Sequence, residues 1–383
     1  MLMLQRKPDS GLGNIRSSPA DPSRNVDWVL LTAQTVLTIA GCFIVFSATR
    51  VRTADPYTFV TRQVIFAIVA ALAMVVVMSF DYEWFKDHIR TLYVLTLLVL
   101  FGLATYSLAS GNTVLALDIG PIQIQPAEFS KVVVLLAMCA YISDERSPDS
   151  VSYPRFLGAL LIVGIPAVLI IIQPDLGSGS VLIAMTMGVL LVAGAKARYI
   201  ATISLLSLAT LGAAFIARLV NPYQLERVRV FFDDDNPALK EAVYQVDNAV
   251  KAVGTGGLFG KGWLQGPLTN GRDIPVIWAD FPFAALGEQF GLVGCAAMLF
   301  VFVIMLLRIW RIAHLSRDMF GTYICAGVFT MLLWQVFQNV GMTIKIMPVT
   351  GLPLPFISYG GSSLITWFVL IGLVQSVHMR RMR

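Results

Sequence analysis

The chain has 383 residues, of which 57% are hydrophobic and only 13% are charged, and its mean hydropathy is +0.74. A soluble domain carries about 25% charged residues, so most of this chain belongs in lipid and a soluble multidomain architecture is excluded. The net charge of +5 is spread over short loops, which reads as a topology signal and argues against nucleic acid as a partner.

Residues 1–24 are polar, with Pro, Ser and Arg and no apolar core of a signal peptide. They are expected to form a disordered cytoplasmic tail, followed by one membrane domain over 25–383. A helix needs about 20 apolar residues to cross a bilayer. Ten runs answer to this: 28–48, 62–80, 91–109, 128–143, 156–173, 178–194, 199–219, 282–307, 319–344 and 362–378. The fold class is therefore all-α and polytopic, with about ten transmembrane helices and a large outer loop, 220–281, between spans seven and eight. Cys42, Cys139, Cys295 and Cys325 each sit inside an apolar run without paired spacing. They read as small buried residues, and neither a disulfide nor a metal site is expected.

Lys and Arg set the orientation. With the N-terminus inside, sixteen of them fall on short inner segments and five on short outer ones. Both termini are then cytoplasmic. The 110–127 loop, the 173–177 turn, the 220–281 segment and the 345–361 loop all face outward.

His88, His314 and His378 all fall on inner segments. A His-based triad or His-ligated zinc is thus excluded from the outer face. The outer ionisable candidates are each open to two readings. Arg62 is an interfacial anchor or a substrate contact. Glu128 and Lys131, at i and i+3 on one helix, are an ion pair or substrate contacts. Asp175 bonds its own turn or faces a ligand. Asp280 caps the eighth span or carries chemistry. Lys345 opens the last outer loop, and Glu288, two turns into the eighth span, reads as a structural carboxylate orienting the long loop.

The 220–281 segment contains Tyr223, Gln224 and Arg227, then Asp233, Asp234 and Asp235, which read as a solvated turn. A helix is expected over 239–253. Gly254-Thr-Gly-Gly-Leu-Phe-Gly-Lys-Gly262 follows. It fails the P-loop pattern, because Thr255 stands where the first Gly belongs and Gly262 where Ser or Thr would bind magnesium. Its amides beside Lys261 either cradle a phosphate or form a re-entrant turn built on Gly256, Gly257 and Gly260. The 345–361 loop, with Pro348, Gly351, Pro353, Pro355, Gly360 and Gly361, cannot be regular helix and is expected to be a shaped loop lining a cavity.

These segments, in this order, resemble the shape, elongation, division and sporulation (SEDS) family, over about 25–380. Leu352-Pro-Leu-Pro-Phe-Ile-Ser-Tyr-Gly-Gly-Ser-Ser363 carries the resemblance most strongly, after Met347-Pro-Val-Thr-Gly351. Arg62-Gln63, Gln125-Pro-Ala-Glu-Phe-Ser-Lys131, Gln173-Pro-Asp-Leu-Gly177, the glycine stretch, Asp280-Phe281 and Leu286-Gly-Glu288 are similar to family motifs. The LPLPF wording and short tails favour the RodA branch over FtsW. The chain departs from the family where Val276, Trp278 and Ala279 replace its Glu, His and Thr, where Asn112-Thr-Val-Leu115 replaces its Arg-Trp set, and at Asn248-Ala249.

The resemblance implies a peptidoglycan glycosyltransferase that polymerises lipid II at the outer face of the cytoplasmic membrane. It maps the family's catalytic aspartate to Asp280, here given the role of general base toward a sugar hydroxyl. Arg62, Glu128, Lys131, Asp175, Arg227, Lys261, Lys345, Ser358 and Tyr359 become candidate substrate contacts. Gly256, Gly257, Gly260, Pro353, Pro355 and Glu288 become structural. It also implies a class B penicillin-binding transpeptidase as partner, with other elongation or division proteins, and admits a divalent cation, magnesium or manganese, but no organic cofactor. The rival readings are a lipid II flippase, a non-catalytic scaffold for a transpeptidase, and an unrelated outer-face glycan ligase or polymerase.

Overall fold

The computed structural model describes residues 25–110, 115–119, 122–144, 151–173, 175–216, 231, 240–271 and 273–382. The tail 1–24, Arg227 and the acidic run 233–235 lie outside the described residues.

Ten helices answer to the ten expected spans. They are α1 (Trp28–Thr49), α2 (Thr58–Ser79), α3 (Tyr82–Ser110), α4 (Pro126–Ser143), α5 (Tyr153–Ile172), α6 (Leu176–Val192) and α7 (Ala197–Ile216), then, after two shorter helices, α10 (Pro282–His314), α11 (Met319–Thr343) and α12 (Gly361–Met379). The two shorter helices are α8 (Lys240–Thr255) and α9 (Pro267–Asn270). A short antiparallel hairpin, β1 (Leu117–Ile119) and β2 (Ile122–Ile124), leads into α4. Among the described residues, eight helices are long and apolar enough to cross a membrane, and α6, with 17 residues, is shorter.

The largest shift from expectation is at α3, which starts at Tyr82 instead of 91. Hydropathy marks only the apolar part of a helix. Backbone pairing runs on through Glu83, Lys86, Asp87 and Arg90, which carry α3 past the apolar run. For the same reason α10 continues through Arg308 and Arg311 to His314.

α4, α11 and α12 form the centre of the bundle and are buried around most of their circumference. α2 packs along α12, and α6 along α11. The outward faces of α2 and α3 expose Ile65, Ile68, Leu72, Leu95 and Leu98. Leu and Ile are as much at home against lipid chains as in a core, so this exposure matches a bundle solvated by a bilayer.

At the basic end of the bundle, Asp27 caps α1 by accepting from Leu30 N–H. Arg308 reaches it with two nitrogens, Nη2 at 2.6 Å and Nε at 3.0 Å from Oδ2. The Gln375 amide exchanges two bonds with the Asp27 backbone. α1, α10 and α12 are thereby locked together at that end.

At the other end α10 is broken. Gly291 has φ 63° and ψ −161°, which interrupts the helical ladder. The glycine stretch supplies the missing bonds. Lys261 N–H donates to Glu288 O and Gly262 N–H to Gln289 O, both at 3.0 Å, while Leu292 N–H and Val293 N–H donate to Gly257 O and Leu258 O. Backbone must approach backbone closely here. A Cβ on Gly256 would lie 1.9 Å from Gly287 O, and one on Gly260 would lie 2.1 Å from Gln289 O. Irregular backbone at a membrane edge is tolerated when its polar groups are satisfied within the protein.

Candidate active site

A cavity of about 840 Å³ opens at the end of the bundle opposite the basic one. Phe59 and Arg62 reach it from the first turns of α2, Gln125 from the residue before α4, and Asp280 from the turn before α10. Tyr359 and Ser362 reach it from the proline-rich loop and the first turn of α12. Residues separated by up to three hundred positions therefore converge on one hollow.

Asp280 is placed by its backbone. Its N–H donates to Val276 O at 3.1 Å, and Ala279 N–H donates to the same oxygen at 3.0 Å. Val276 holds φ at +52°. For a β-branched residue this is a strained conformation, worth about 1–3 kcal/mol, and such strain persists only where surrounding contacts impose it. The N-cap of α10 is Phe281, followed by Pro282 at the first helical position, and Phe281 makes no side-chain cap bond. Asp280 thus stands one residue outside the cap and lines the cavity, so the capping alternative does not hold.

The 345–361 loop is read by carboxamides. Prolines cannot donate, and this irregular loop pairs few of its own carbonyls, Leu354 O, which accepts from Ile357 N–H and Ser358 N–H, being one of them. Gln335 donates to Pro353 O at 2.8 Å, Gln338 to Pro348 O at 3.2 Å, and Gln63 to Ser358 O at 3.1 Å. Asn339 donates to both Leu352 O and Asp280 O. Ser358, a candidate substrate contact, is buried, and its Oγ accepts from Leu354 N–H at 2.7 Å. Tyr359 N–H donates to Trp278 O at 2.9 Å, joining the loop to the Asp280 turn.

Arg62 is exposed in the cavity and has no hydrogen bond or ion pair among the described residues. It brings positive charge into the same hollow as Asp280. Asp175 lies one contact away. It caps α6 through Ser178 N–H at 2.9 Å and accepts from Gln125 Nε2 at 3.1 Å, while Gln125 N–H donates to Ser362 Oγ at 3.0 Å. Asp175 therefore orients a cavity residue.

The remaining candidates sit elsewhere. Glu128 and Lys131 are buried in α4 as an ion pair at 2.6 Å. Lys345 pairs with Asp247 at 3.2 Å. Lys261 lies 3.7 Å from Glu288 Oε1. Glu288 holds α9 by accepting from Leu268 N–H, Thr269 N–H and Thr269 Oγ. Glu128, Lys131, Lys261 and Lys345 do not line the cavity. The amides of Gly260, Lys261 and Gly262 are already donated to Gly256 O, Glu288 O and Gln289 O, so the phosphate-cradle alternative for the glycine stretch does not hold.

Sequence reasoning missed the clamp residues Gln335, Gln338 and Asn339. Three carboxamides at i, i+3 and i+4 in an apolar span were the available signal, since such groups in a bilayer must find partners inside the protein. It also passed over Phe59 and read Trp278 only as a departure. Among the described residues no group of three metal-ligating side chains gathers.

Known proteins bear directly on this arrangement. The FtsW/RodA/SpoVE model, described as "Cell cycle protein", matches residues 27–383. The chain is 31% identical to stage V sporulation protein E of Bacillus subtilis, over 92% of this chain and 96% of that one. It is 33% identical to peptidoglycan glycosyltransferase MrdB of Escherichia coli K12, over 83% and 84% of the two chains. A chain of a solved peptidoglycan synthase complex, described as coordinating polymerization and crosslinking, superposes with a TM-score of 0.74 at 25% identity, covering 94% of this chain and 99% of that one.

Proposed function

Because the chain belongs to the FtsW/RodA/SpoVE family and is a peptidoglycan glycosyltransferase by that kinship, we propose that it polymerises lipid II in the cavity around Asp280. The observation that carries this reading is that one carboxylate and one cationic side chain, Asp280 and Arg62, line the same hollow, which is large enough for sugar rings. The basic end is taken as cytoplasmic, so the cavity opens at the outer face of the cytoplasmic membrane. Sixteen inner against five outer Lys and Arg residues support this orientation.

In this mechanism Asp280 takes the proton of an acceptor hydroxyl, the 4-OH of an N-acetylglucosamine unit. The oxygen bonds to the anomeric carbon of the donor sugar as the bond to the prenyl diphosphate breaks. A positioned carboxylate contributes about 10²–10⁴-fold to such a step. Arg62 supplies fixed positive charge toward the departing diphosphate. The residues present fit a divalent cation only if the diphosphate itself carries it, with Asp280 as the protein ligand, and such an ion would add positive charge at the leaving group.

The narrower assignments belong to the same proposal. Elongation is favoured over division by the Leu352–Phe356 wording. A class B penicillin-binding transpeptidase is the proposed partner, supported by the likeness to a chain of a complex that couples polymerization to crosslinking. Purified protein in detergent, given lipid II with and without such a partner, tests the function. Glycan polymer is expected. Its absence under both conditions, with intact protein, would overturn the proposal and favour a transport or scaffold role.

A further inference from the structure

The cavity has an aromatic side built from three separate elements. Phe59 comes from α2, Trp278 from the Asp280 turn and Tyr359 from the proline-rich loop, and all three line the hollow. The Phe59 ring meets Trp278 at 5.3 Å between centroids and Tyr359 at 5.0 Å. The Arg52 guanidinium lies over the Trp278 ring at 5.3 Å. Arg52 is itself tied by Nη2 to Gly271 O at 2.6 Å and Ile274 O at 3.1 Å. The indole is therefore fixed by a cation on its face, a tilted ring beside it, and a backbone bond from Tyr359 N–H to its own carbonyl.

We infer that Phe59, Trp278 and Tyr359 form a stacking wall for a pyranose ring, with Trp278 the specificity-determining contact beside Asp280. The inference rests on the glycosyltransferase reading and names how a sugar is held there. One face of an N-acetylated pyranose presents only C–H groups, and an aromatic ring covers such a face while leaving the hydroxyls free for polar contacts. Trp278 is two residues from Asp280 on the same turn. A ring stacked on it is thereby bound beside the turn that carries the carboxylate, in ground state and transition state alike, so the loss of the contact is read in KM. The neighbouring Ala279 and Val276 add no polar side chain to this turn. Recognition by this wall therefore runs through ring faces, and hydrogen bonding falls to the other polar side chains that line the hollow, Arg62, Gln123 and Gln125 among them.

The test uses full-length protein in detergent, labelled with 5-fluorotryptophan, in the Asp280→Asn background so that turnover is slowed at least about 100-fold. The Trp278 fluorine resonance is identified by its loss in Trp278→Phe. Lipid II should shift that resonance, and undecaprenyl diphosphate, which carries no sugar, should leave it in place. An unmoved resonance with bound lipid II, or an equal shift with both lipids, overturns the inference. Kinetics in the Asp280 background provide the second readout. Trp278→Leu should raise KM for lipid II about tenfold, the scale of one lost apolar ring contact, with kcat within a few-fold, while Trp278→Phe should stay near the parent. A sugar-dependent shift in protein that makes no polymer would keep the wall and reject the transferase reading. Polymer without the shift would do the reverse.

Discussion

Asn339 donates from Nδ2 to the Asp280 carbonyl at 2.9 Å, and the same nitrogen donates to the Leu352 carbonyl at 2.8 Å. One carboxamide in the middle of the molecule thus ties the turn that carries the carboxylate to the proline-rich loop that carries Tyr359. Neither segment is helix or sheet, so each depends on side chains for backbone partners.

Asn339→Leu removes both bonds and leaves the buried Leu352 carbonyl unpaired, at about 1–3 kcal/mol, and the part-buried Asp280 carbonyl without this donor. The variant should melt at lower temperature in detergent. Its folded fraction should polymerise lipid II more slowly at saturating substrate, because the Asp280 turn is no longer held. Thermal unfolding and the polymerisation rate, measured on one preparation, check both parts.

Two glycines in one stretch should behave differently. Gly260 has φ +79°, and an added Cβ would lie 2.1 Å from Gln289 O. Gly260→Ala should force the stretch off the broken helix and sharply reduce folded yield. Gly257 has φ +59° but open space around the same position. Gly257→Ala should carry only the left-handed backbone penalty, about 1–2 kcal/mol. Size-exclusion profiles of the two variants make the comparison.

The Glu128–Lys131 pair is buried at 2.6 Å with both side chains almost inaccessible. Lys131→Met leaves a carboxylate buried without its partner, a loss of about 3–5 kcal/mol in stability. Glu128→Gln combined with Lys131→Met removes both charges and should regain much of that stability. A double variant as unstable as the single one would contradict a structural role for the pair.

Arg62 should act on substrate and not on the fold, since it has no ion-pair partner among the described residues. Arg62→Gln should leave the melting temperature unchanged and weaken lipid II turnover, with the salt dependence of KM reduced. A drop in melting temperature with unchanged kinetics would return Arg62 to the role of interfacial anchor.

The bundle was legible because crossing a bilayer demands long apolar runs, and these stand out even where, as between α5 and α6, only a short polar turn divides them. Helix ends were less legible, as α3 shows, because polar residues extend a helix without any hydropathy signal. Asp280, Arg62 and Tyr359 were found through motifs, and the structure brings all three to one cavity. Lys261 and Lys345 could not be sorted the same way. A lysine beside a glycine stretch looks the same in sequence whether its neighbours' amides face a ligand or, as here, repair a broken helix. Trp278 was visible only as a departure from a pattern, and its role depends on Phe59 and Arg52, which are distant in sequence.

Glycan transfer in this cavity turns on the Asp280 carboxylate accepting a proton. Asp280→Asn keeps the size and shape of the side chain and should fold, insert and bind lipid II as the parent does. Its polymerisation rate in detergent should fall at least about 100-fold, the lower bound for a lost general base. Purified Asp280→Asn that makes polymer at the parent's rate and length would rule out Asp280 as the base.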